Sequence, residues 1–389
     1  MSHQILVPKL IEIGGGALSK LPSVLKSLDV NYPLIVTDKM MVDLGYADKV
    51  LQQLETAKFT AGLFDSVIPE PTVKSIMPGV EVAKFGNYDS IVALGGGSPI
   101  DSAKAIAILA KHGGKMSDYK VPNRVNQAGI PVIAIPTTAG TGSECTCFTV
   151  ITDDISNEKM LCAGAGLMPA AAIVDYELTL TLPARNTADT GIDALTHAIE
   201  SYVSKKANLF SDSQALSAMR LIAPNLRMAF NDGNDHKARE AIMVGATLAG
   251  IAFSNSSVAL VHGMSRPIGA AFHVPHGLSN AMLLPKITEF SISAAPKKYA
   301  NCARAMGVAS ELDNDDIANT KLVNELLAIN KDLNVPSLQE FGVKSEVFNA
   351  MLSTMAEQAL ASGSPSNNPL VPSSDQIIDL YKQVWTGLS

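Results

Sequence analysis

Short apolar runs alternate with stretches of helical periodicity in the first half of this chain, and this alternation constrains the fold more than any other feature. The runs that predict strands cover residues 34–37, 91–94, 132–135 and 171–174, and a further apolar run ends at Phe64 and Val67. Strands that alternate with helical segments in this way form a mostly parallel sheet with helices packed on its faces. We therefore predict an α/β domain for the first half of the chain.

The pattern changes near Pro183, after which helical periodicity dominates and β-branched runs become rare. Leu195, Ile199 and Tyr202 fall on one helical face, and a last helix is predicted over residues 375–385. The segment before that helix, residues 363–374, is rich in Pro, Ser and Asn and predicts a surface loop. A chain of 389 residues is too long for one ordinary core. We expect an α/β domain over residues 1–183 and an all-helical domain over residues 184–389.

Charge, hydropathy and cysteine usage bear on partners and location. The net charge is −7 and Lys and Arg form no cluster, so neither nucleic acid nor an anionic membrane surface is expected. Residues 241–265 lack Asp, Glu, Lys and Arg, but the polar segment at 254–257 interrupts them. They predict a buried helix or helix pair and not a membrane span. Without a signal-peptide pattern or a Cys-x-x-Cys pair among four cysteines, we expect a cytoplasmic protein.

A glycine-rich segment, Gly-Gly-Gly-Ser at residues 95–98, follows one predicted strand and precedes a helix predicted over residues 102–111. Glycine lets the backbone approach a ligand closely, and the free amides at a helix start favour a phosphate. A tight strand-to-helix turn would use the same residues, and the spacing matches neither a G-x-G-x-x-G motif nor a P-loop. This segment alone leaves both interpretations open.

A second loop, over residues 136–144, also follows a predicted strand. It carries the four hydroxyls of Thr137, Thr138, Thr141 and Ser143 among small residues, although an ordinary polar turn looks similar. Two such loops at strand ends in one domain predict a dinucleotide-binding cleft. Asp38, at the end of the first predicted strand, either binds the ribose hydroxyls of NAD and repels the extra phosphate of NADP, or caps the next helix.

Two segments of the second half carry residues that suit a metal ion. Asp193 and His197 are four residues apart and share a helical face, a spacing that a surface ion pair uses more often than a metal site. The metal interpretation gains from a second cluster, in which His262, His273 and His276 fall within 15 residues. Asp193, His197, His262 and His276 would offer three nitrogens and one oxygen, a set that suits Zn²⁺ or Fe²⁺.

Together these segments resemble the iron-containing alcohol dehydrogenases, a family related in fold to dehydroquinate synthase and glycerol dehydrogenase. The motifs that carry the resemblance lie at residues 95–101, 136–141, 189–197, 262–264 and 275–277, and the resemblance covers the whole chain. It implies that Asp193, His197, His262 and His276 hold the metal, Fe²⁺ or alternatively Zn²⁺. It also implies that the NAD site is lined by Asp38, Gly95, Gly96, Gly97, Ser98, Asp101, Thr137, Thr138, Thr141, Ser143 and Lys159.

The activity that the resemblance implies is NAD-linked oxidation of a small alcohol, or reduction of its aldehyde, by a homodimer. The metal would polarise the substrate oxygen while hydride passes to or from the nicotinamide. The alternative is a polyol or hydroxy-acid dehydrogenase similar to glycerol dehydrogenase. A synthase acting on a phosphorylated sugar acid would need more basic residues near the metal motif, and a non-catalytic binding protein would need no complete set of ligands beside the cofactor loops.

The chain departs from the family at one position that faces the active site. Many members carry a histidine four residues after the first histidine of the His-Gly-Met segment, where this chain has Arg266. Arg266 is always charged and cannot relay protons, so we expect His273 or water to do so, unless His273 only supports the ligands. Arg266 either binds an anionic group of the substrate or pairs with a protein acid or a backbone carbonyl.

Overall fold

The computed structural model describes residues 2–387 and divides the chain into two compact units. One unit comprises Gln4–Leu180, and the other consists mainly of the chain from Thr181 onward, together with the residues before Gln4. That the first unit binds NAD and the second a metal stays a prediction at this point.

The first unit is built on a six-stranded parallel sheet. Its strands are β1 (Leu10–Ile13), β2 (Pro33–Asp38), β3 (Gly62–Val67), β4 (Ser90–Gly95), β5 (Val132–Pro136) and β8 (Ala171–Val174). A separate antiparallel hairpin joins β6 (Phe148–Thr152) to β7 (Lys159–Ala163). The helices are α1 (Leu21–Ser27), α2 (Lys39–Asp43), α3 (Tyr46–Thr56), α4 (Val73–Phe85) and α5 (Gly97–His112).

Alternate residues of the central strands face opposite sides of this sheet. Leu34 and Ile91 pack on one side together with α4 and α5. Ile35 and Val92 pack on the other side with α1 and α3. A strand with both faces buried reads as a continuous apolar run, which is why the central strands stood out in the sequence. The predicted α/β fold is confirmed.

The strand order, β1-β8-β5-β4-β2-β3, creates a point where the chain reverses its direction across the sheet. From β2 the next strand lies to one side, as β3, whereas from β4 the next lies to the other side, as β5. In open parallel sheets, ligands bind in the crevice beyond the carboxyl ends of the strands at such a reversal. Asp38 ends β2 and Gly95 ends β4 at this crevice.

The second unit is helical throughout the part that the structure describes. Its helices are α6 (Ala184–Val203), α7 (Leu209–Asn231), α8 (His236–Ser254), α9 (Leu260–Phe272), α10 (His276–Ser291), α11 (Pro296–Ala305), α12 (Asp315–Asp332), α13 (Ser345–Ala361) and α14 (Ser374–Val384). Helix α7 packs against α6 and α8, and α10 packs against α6 and α9. The predicted all-helical second half is confirmed.

The uncharged run at residues 241–265 forms the end of α8 and the start of α9, with a break after Asn255. Asn255 sits at the end of α8, so the polar residues that interrupt the run mark the break between two buried helices. Within residues 2–387, no helix has the length and hydropathy of a membrane span.

Three local predictions were wrong or incomplete. The helix expected from Ser102 begins at Gly97, so Gly97 and Ser98 belong to its first turn and not to a loop. Strand β1 and the β6–β7 hairpin were not predicted, because these strands are short and only half buried. The predicted surface loop at residues 363–374 is partly buried: Asn367 and Asn368 donate hydrogen bonds to Ser257 and Ser291.

Candidate functional site

The two loops singled out in the sequence touch each other at the carboxyl ends of β4 and β5. A Cβ atom placed on Gly97 would lie 2.9 Å from Thr141 Cγ2, and one on Gly96 would lie 3.3 Å from Thr138 Cγ2. The glycines are therefore needed for the contact between the loops. The backbone of Thr137 donates a hydrogen bond to the Gly95 carbonyl at 3.0 Å, which fixes the start of the second loop.

The first turn of α5 supplies backbone amides to this crevice. Gly96 is the N-cap of α5, and no side chain caps the helix there. Pro99 lies in the first turn, where it loses no helical hydrogen bond. The amides of Gly97 and Ser98 are at the positive end of a helix of 16 residues, an arrangement that suits a phosphate group.

Asp38 occupies the position at the end of β2 that the sequence indicated. Its Oδ1 accepts a hydrogen bond from the Met41 amide at 3.0 Å, so the carboxylate caps α2. Thr37, beside it, donates a hydrogen bond to the Leu94 carbonyl on β4 at 2.8 Å. The capping interpretation of Asp38 is therefore correct. The ribose contact stays a prediction, since one carboxylate oxygen is enough for the cap.

Four other residues assigned to the cofactor site are bonded to protein groups. Ser143 donates a hydrogen bond to Asp101 Oδ1 at 2.7 Å, and Asp101 Oδ2 accepts one from the Val150 amide at 2.9 Å. Lys159 forms an ion pair with Glu70 at 2.8 Å, and the Glu70 amide donates to Ser98 Oγ at 3.2 Å. These contacts hold the loops and the β6–β7 hairpin in place around the crevice.

Lys104, which sequence reasoning missed, is buried below the second loop. Its Nζ donates to the carbonyl oxygens of Ser143, Thr146 and Phe148 and to the hydroxyls of Ser143 and Thr146, at 2.7–3.1 Å. Burial lowers the pKa of Lys104, and the charge of Asp101 opposes that shift. The available signal was a lysine in the apolar middle of a helix, three residues after Asp101, because a buried cation needs such a set of acceptors.

In the second unit, three predicted ligands converge from three helices. Asp193 lies on α6, His262 on α9 and His276 at the start of α10, and their ligand atoms lie within 4.8 Å of one another. Asp193 Oδ1 is 3.5 Å from His262 Nε2 and 3.7 Å from His276 Nε2. Asp193 and His262 are buried, whereas the side chain of His276 is 40% exposed, so the cluster is accessible from one side.

His197 lies beside this cluster. Its Nδ1 is 3.9 Å from Asp193 Oδ1, and its ring stacks on the rings of His262 and Phe253 at centroid distances of 4.4 Å and 4.3 Å. The pair of Asp193 and His197 is thus buried and is not the surface ion pair that the spacing alone favoured. The group of three ligand atoms within 4.8 Å does not include His197, and its role as a fourth ligand stays a prediction.

Burial and charge have opposite effects on the titration of this cluster. Burial raises the pKa of Asp193, but His197, His276 and His262 together lower it below its usual range. Burial lowers the pKa of His262, and its hydrogen bonds to Asp193 and Glu200 outweigh that effect and raise it. The acceptor groups therefore favour a positive charge at this place, whether a proton or a metal ion supplies it.

A second polar residue that sequence reasoning missed is Asn280, one turn after His276 on α10. Its Nδ2 donates to Asp193 Oδ1 at 2.7 Å and lies 3.2 Å and 3.3 Å from Nε2 of His262 and His276. Its Oδ1 is buried and finds no hydrogen-bond partner in the part of the chain that the structure describes. The amide nitrogen is thus the group of Asn280 that faces the predicted ligands.

Arg266, where the sequence departs from the family, and His273, the candidate proton relay, differ in exposure. Arg266 is half-buried, and its Nη1 donates to Ser364 Oγ at 2.9 Å, which favours a structural pairing over an anion site. His273 is exposed and ends α9 in a left-handed conformation, with φ of 55°. The cluster of three ligand atoms does not include His273.

Comparison with known proteins identifies the family. The family profile described as iron-containing alcohol dehydrogenase matches residues 8–176, and that described as Fe-containing alcohol dehydrogenase family, C-terminal, matches residues 187–385. Alcohol dehydrogenase 4 of Saccharomyces cerevisiae is 36% identical over 382 residues, which cover 97% of each chain. This chain belongs to the iron-containing alcohol dehydrogenase family.

Solved structures agree with this membership. A crystal structure of 1,3-propanediol oxidoreductase superposes with a TM-score of 0.94 and 35% identity, covering 99% of this chain and 100% of the other. Sulfoacetaldehyde reductase from Bifidobacterium kashiwanohense, solved in complex with NAD⁺, has a TM-score of 0.89 and 26% identity, with 99% of each chain covered. The predicted family, fold and enzyme class, a metal-dependent alcohol dehydrogenase linked to a nicotinamide nucleotide, are confirmed.

Proposed function

We propose that this protein interconverts a small alcohol and its aldehyde or ketone with NAD, at a divalent metal held by Asp193, His197, His262 and His276. The observation that carries the proposal is the convergence of Asp193 Oδ1 with Nε2 of His262 and His276 within 4.8 Å. A carboxylate oxygen and two imidazole nitrogens that meet in a mostly buried place favour a positive charge between them, which a metal ion can supply.

The donor set fits a divalent first-row metal. Imidazole nitrogens and a carboxylate suit Fe²⁺ and Zn²⁺. We propose Fe²⁺ as the natural ion because of the family, with Zn²⁺ as the alternative, since affinity alone favours zinc. Asp193 and His262 would supply the buried ligands, and His276, which is 40% exposed, would face the substrate side.

The crevice of the first unit fits a dinucleotide. The amides of Gly97 and Ser98 at the start of α5 would bind its pyrophosphate, and Gly96 and Gly97 let Thr138 and Thr141 of the second loop lie close beside them. We propose NAD over NADP because Asp38 would meet the 2′-phosphate of NADP with a negative charge. Asp101, Ser143 and Lys159 would then act on the cofactor through the shape of the loops that they hold.

When bound, the metal would supply a Lewis acid for the substrate oxygen and the nicotinamide would accept hydride from the carbinol carbon. Oxidation also releases the hydroxyl proton, which has to reach solvent. Arg266 cannot accept it, because a guanidinium stays charged. His273, which is exposed, or water on the open side of His276 is proposed to carry this proton. We also propose that the enzyme is a cytoplasmic homodimer, by its resemblance to the family.

Anaerobic purification, metal analysis and a substrate panel test this function. Alcohols, diols, glycerol, hydroxy acids and the matching aldehydes would be assayed with NAD and with NADP, on protein loaded with Fe²⁺ and with Zn²⁺. We expect one divalent ion per chain and the highest kcat/KM for a small alcohol or aldehyde with NAD. If no compound turns over in metal-loaded protein, the proposal is wrong, and a preference for glycerol or a hydroxy acid supports the glycerol dehydrogenase-like alternative.

A further inference from the structure

A second carboxylate, that of Glu200, lies next to Nδ1 of His262, the ring nitrogen that does not face Asp193. Glu200 is on α6, one helix with Asp193, and its side chain is only 4% exposed. Its Oε2 lies 2.7 Å from Nδ1 of His262. It also accepts hydrogen bonds from the backbone amides of Ala259 at 2.9 Å, Val261 at 2.5 Å and His262 at 3.4 Å.

We propose that Glu200 is a positioning residue that fixes the tautomer and orientation of His262 and so presents its Nε2 lone pair to the metal. The inference rests on the ligand set proposed above. An ionised carboxylate only accepts hydrogen bonds, so Nδ1 of His262 has to carry the proton. In a neutral imidazole the proton on one nitrogen leaves the other with a lone pair, and here that nitrogen, Nε2, faces Asp193 and Asn280.

The backbone contacts give Glu200 a second effect, on the position of the whole ligand segment. Helix α9 begins at Leu260, and its N-cap residue, Ala259, provides no side-chain cap. Glu200, which belongs to another helix, accepts hydrogen bonds from the backbone amides of this first turn. A negative charge at the N-terminus of a helix also interacts favourably with the helix dipole. Because Glu200 and Asp193 share α6, the same contacts fix α9 relative to the helix that carries the carboxylate ligand.

The buried charge of Glu200 is compensated by its surroundings. Four N–H groups point at its two oxygens, which is the condition under which a buried carboxylate is tolerated. Arg266, one turn after His262 on α9, adds a positive charge: burial lowers the pKa of Arg266, and the attraction of Glu200 opposes that shift.

The chain offers a matched control in Asp175. This carboxylate is also buried and accepts three backbone amides, those of Gly16, Leu18 and Glu177 at 3.0–3.1 Å, and the contacts found for it in the described residues include no histidine. Glu200→Gln and Asp175→Asn therefore remove the same chemical group from comparable backbone networks. Only the first substitution also disturbs a proposed ligand.

The test measures Co²⁺ affinity by chelator competition, the visible spectrum of the bound Co²⁺ and the melting temperature of full-length protein. We expect Glu200→Gln to weaken Co²⁺ binding about 10–100-fold and to shift the spectrum. Loss of the hydrogen-bond partner behind a metal ligand typically has an effect of this size on metal affinity. Asp175→Asn should lower the melting temperature and leave both metal readouts unchanged. Wild-type affinity and spectrum in Glu200→Gln, or equal metal loss in both variants, would overturn the inference.

Two further measurements keep the test decisive. If Glu200→Gln does not fold, ¹⁵N-histidine NMR of the wild type, with and without Zn²⁺, reports the tautomer directly: Nδ1–H at His262 supports the inference and Nε2–H overturns it. His262→Ala distinguishes failure of the proposed ligand set from failure of the proposed role of Glu200. If that variant binds Co²⁺ as tightly as the wild type, the proposed ligand set itself has failed; if it loses Co²⁺ while Glu200→Gln keeps it, only the role of Glu200 has.

Discussion

The two units of this enzyme assemble their candidate sites by different means. In the first unit, the site is made of backbone: the ends of parallel strands, the glycines that follow them and the first turn of α5. In the second unit, the site is made of side chains that reach one point from α6, α9 and α10. The sheet topology places the first site, whereas helix packing places the second.

The polar side chains of the two sites also differ in their partners, and therefore in how each would act on a ligand. Asp101 and Ser143 bond to each other, and Lys159 bonds to Glu70, so their influence on a cofactor passes through the loops. Asp193, His262 and His276 instead bring their ligand atoms within 4.8 Å of one another, so each is proposed to act on a metal directly. Substitutions of these residues should therefore weaken cofactor binding by degrees in the first unit, and should remove metal binding almost completely in the second.

The largest effect is expected at the metal ligands. His262→Ala or Asp193→Ala should abolish metal retention and lower turnover about 1000-fold, since the metal supplies several kcal/mol of transition-state stabilisation, while the fold remains. Metal analysis, steady-state kinetics and circular dichroism check this. His236→Ala, an exposed histidine at the start of α8, is the control. If both ligand variants keep their metal and near-normal rates, the ligand assignment is wrong.

Lys104→Met should give the largest effect in the first unit. It leaves five hydrogen-bond acceptors and the charge of Asp101 without their cation, at a cost of about 3–5 kcal/mol in unfolding free energy. NAD binding should weaken as the second loop loosens. Urea denaturation and NADH fluorescence titration measure both. Lys111→Met, on the same helix, removes one hydrogen bond to Gly129 and should cost about 1 kcal/mol. Equal losses in the two variants would contradict this account.

A smaller effect is expected at Asp38, where cofactor choice can be separated from helix capping. Asp38→Asn keeps a side-chain cap for α2 but removes the charge, and should narrow the preference for NAD over NADP by about 1–3 kcal/mol. Asp38→Gly should narrow it similarly, and losing the cap should cost only a few tenths of a kcal/mol. The ratio of kcat/KM for the two cofactors measures this. A wild type that uses both equally well would refute the role of Asp38.

The smallest effect is expected at Arg266, although its position is the most unusual in the sequence. Because its guanidinium bonds to Ser364 and is attracted by Glu200, Arg266→Met should change the preference between 4-hydroxybutyrate and 1-butanol by less than about 0.5 kcal/mol. Values of kcat/KM for this pair, in both proteins, check the expectation. A strong wild-type preference for the hydroxy acid that disappears in the variant would show that Arg266 binds an anionic substrate.

Much of the first unit could be predicted because its signals are local. The central strands are buried on both faces and therefore form continuous apolar runs, and the two loops of small and hydroxyl residues follow them in the sequence. The cap at Asp38 was predicted as one of two interpretations for the same reason. What could not be predicted is that Asp101, Ser143 and Lys159 find protein partners, because those partners lie 42 and 89 residues away in the chain.

The fold class, the family and the candidate ligands could be predicted from residue type and spacing, which report on chemistry and periodicity. Which of these groups meet depends on how the helices pack. Asn280 is an ordinary helical amide in the sequence, and its contact with Asp193 exists because α10 packs on α6. In the sequence, Glu200 is likewise only an acidic residue near the end of a helix. Its contact with Nδ1 of His262 exists because α9 packs beside it. Hydrogen bonds act over about 3 Å, so their partners are chosen by helix packing, which no local pattern of residues specifies.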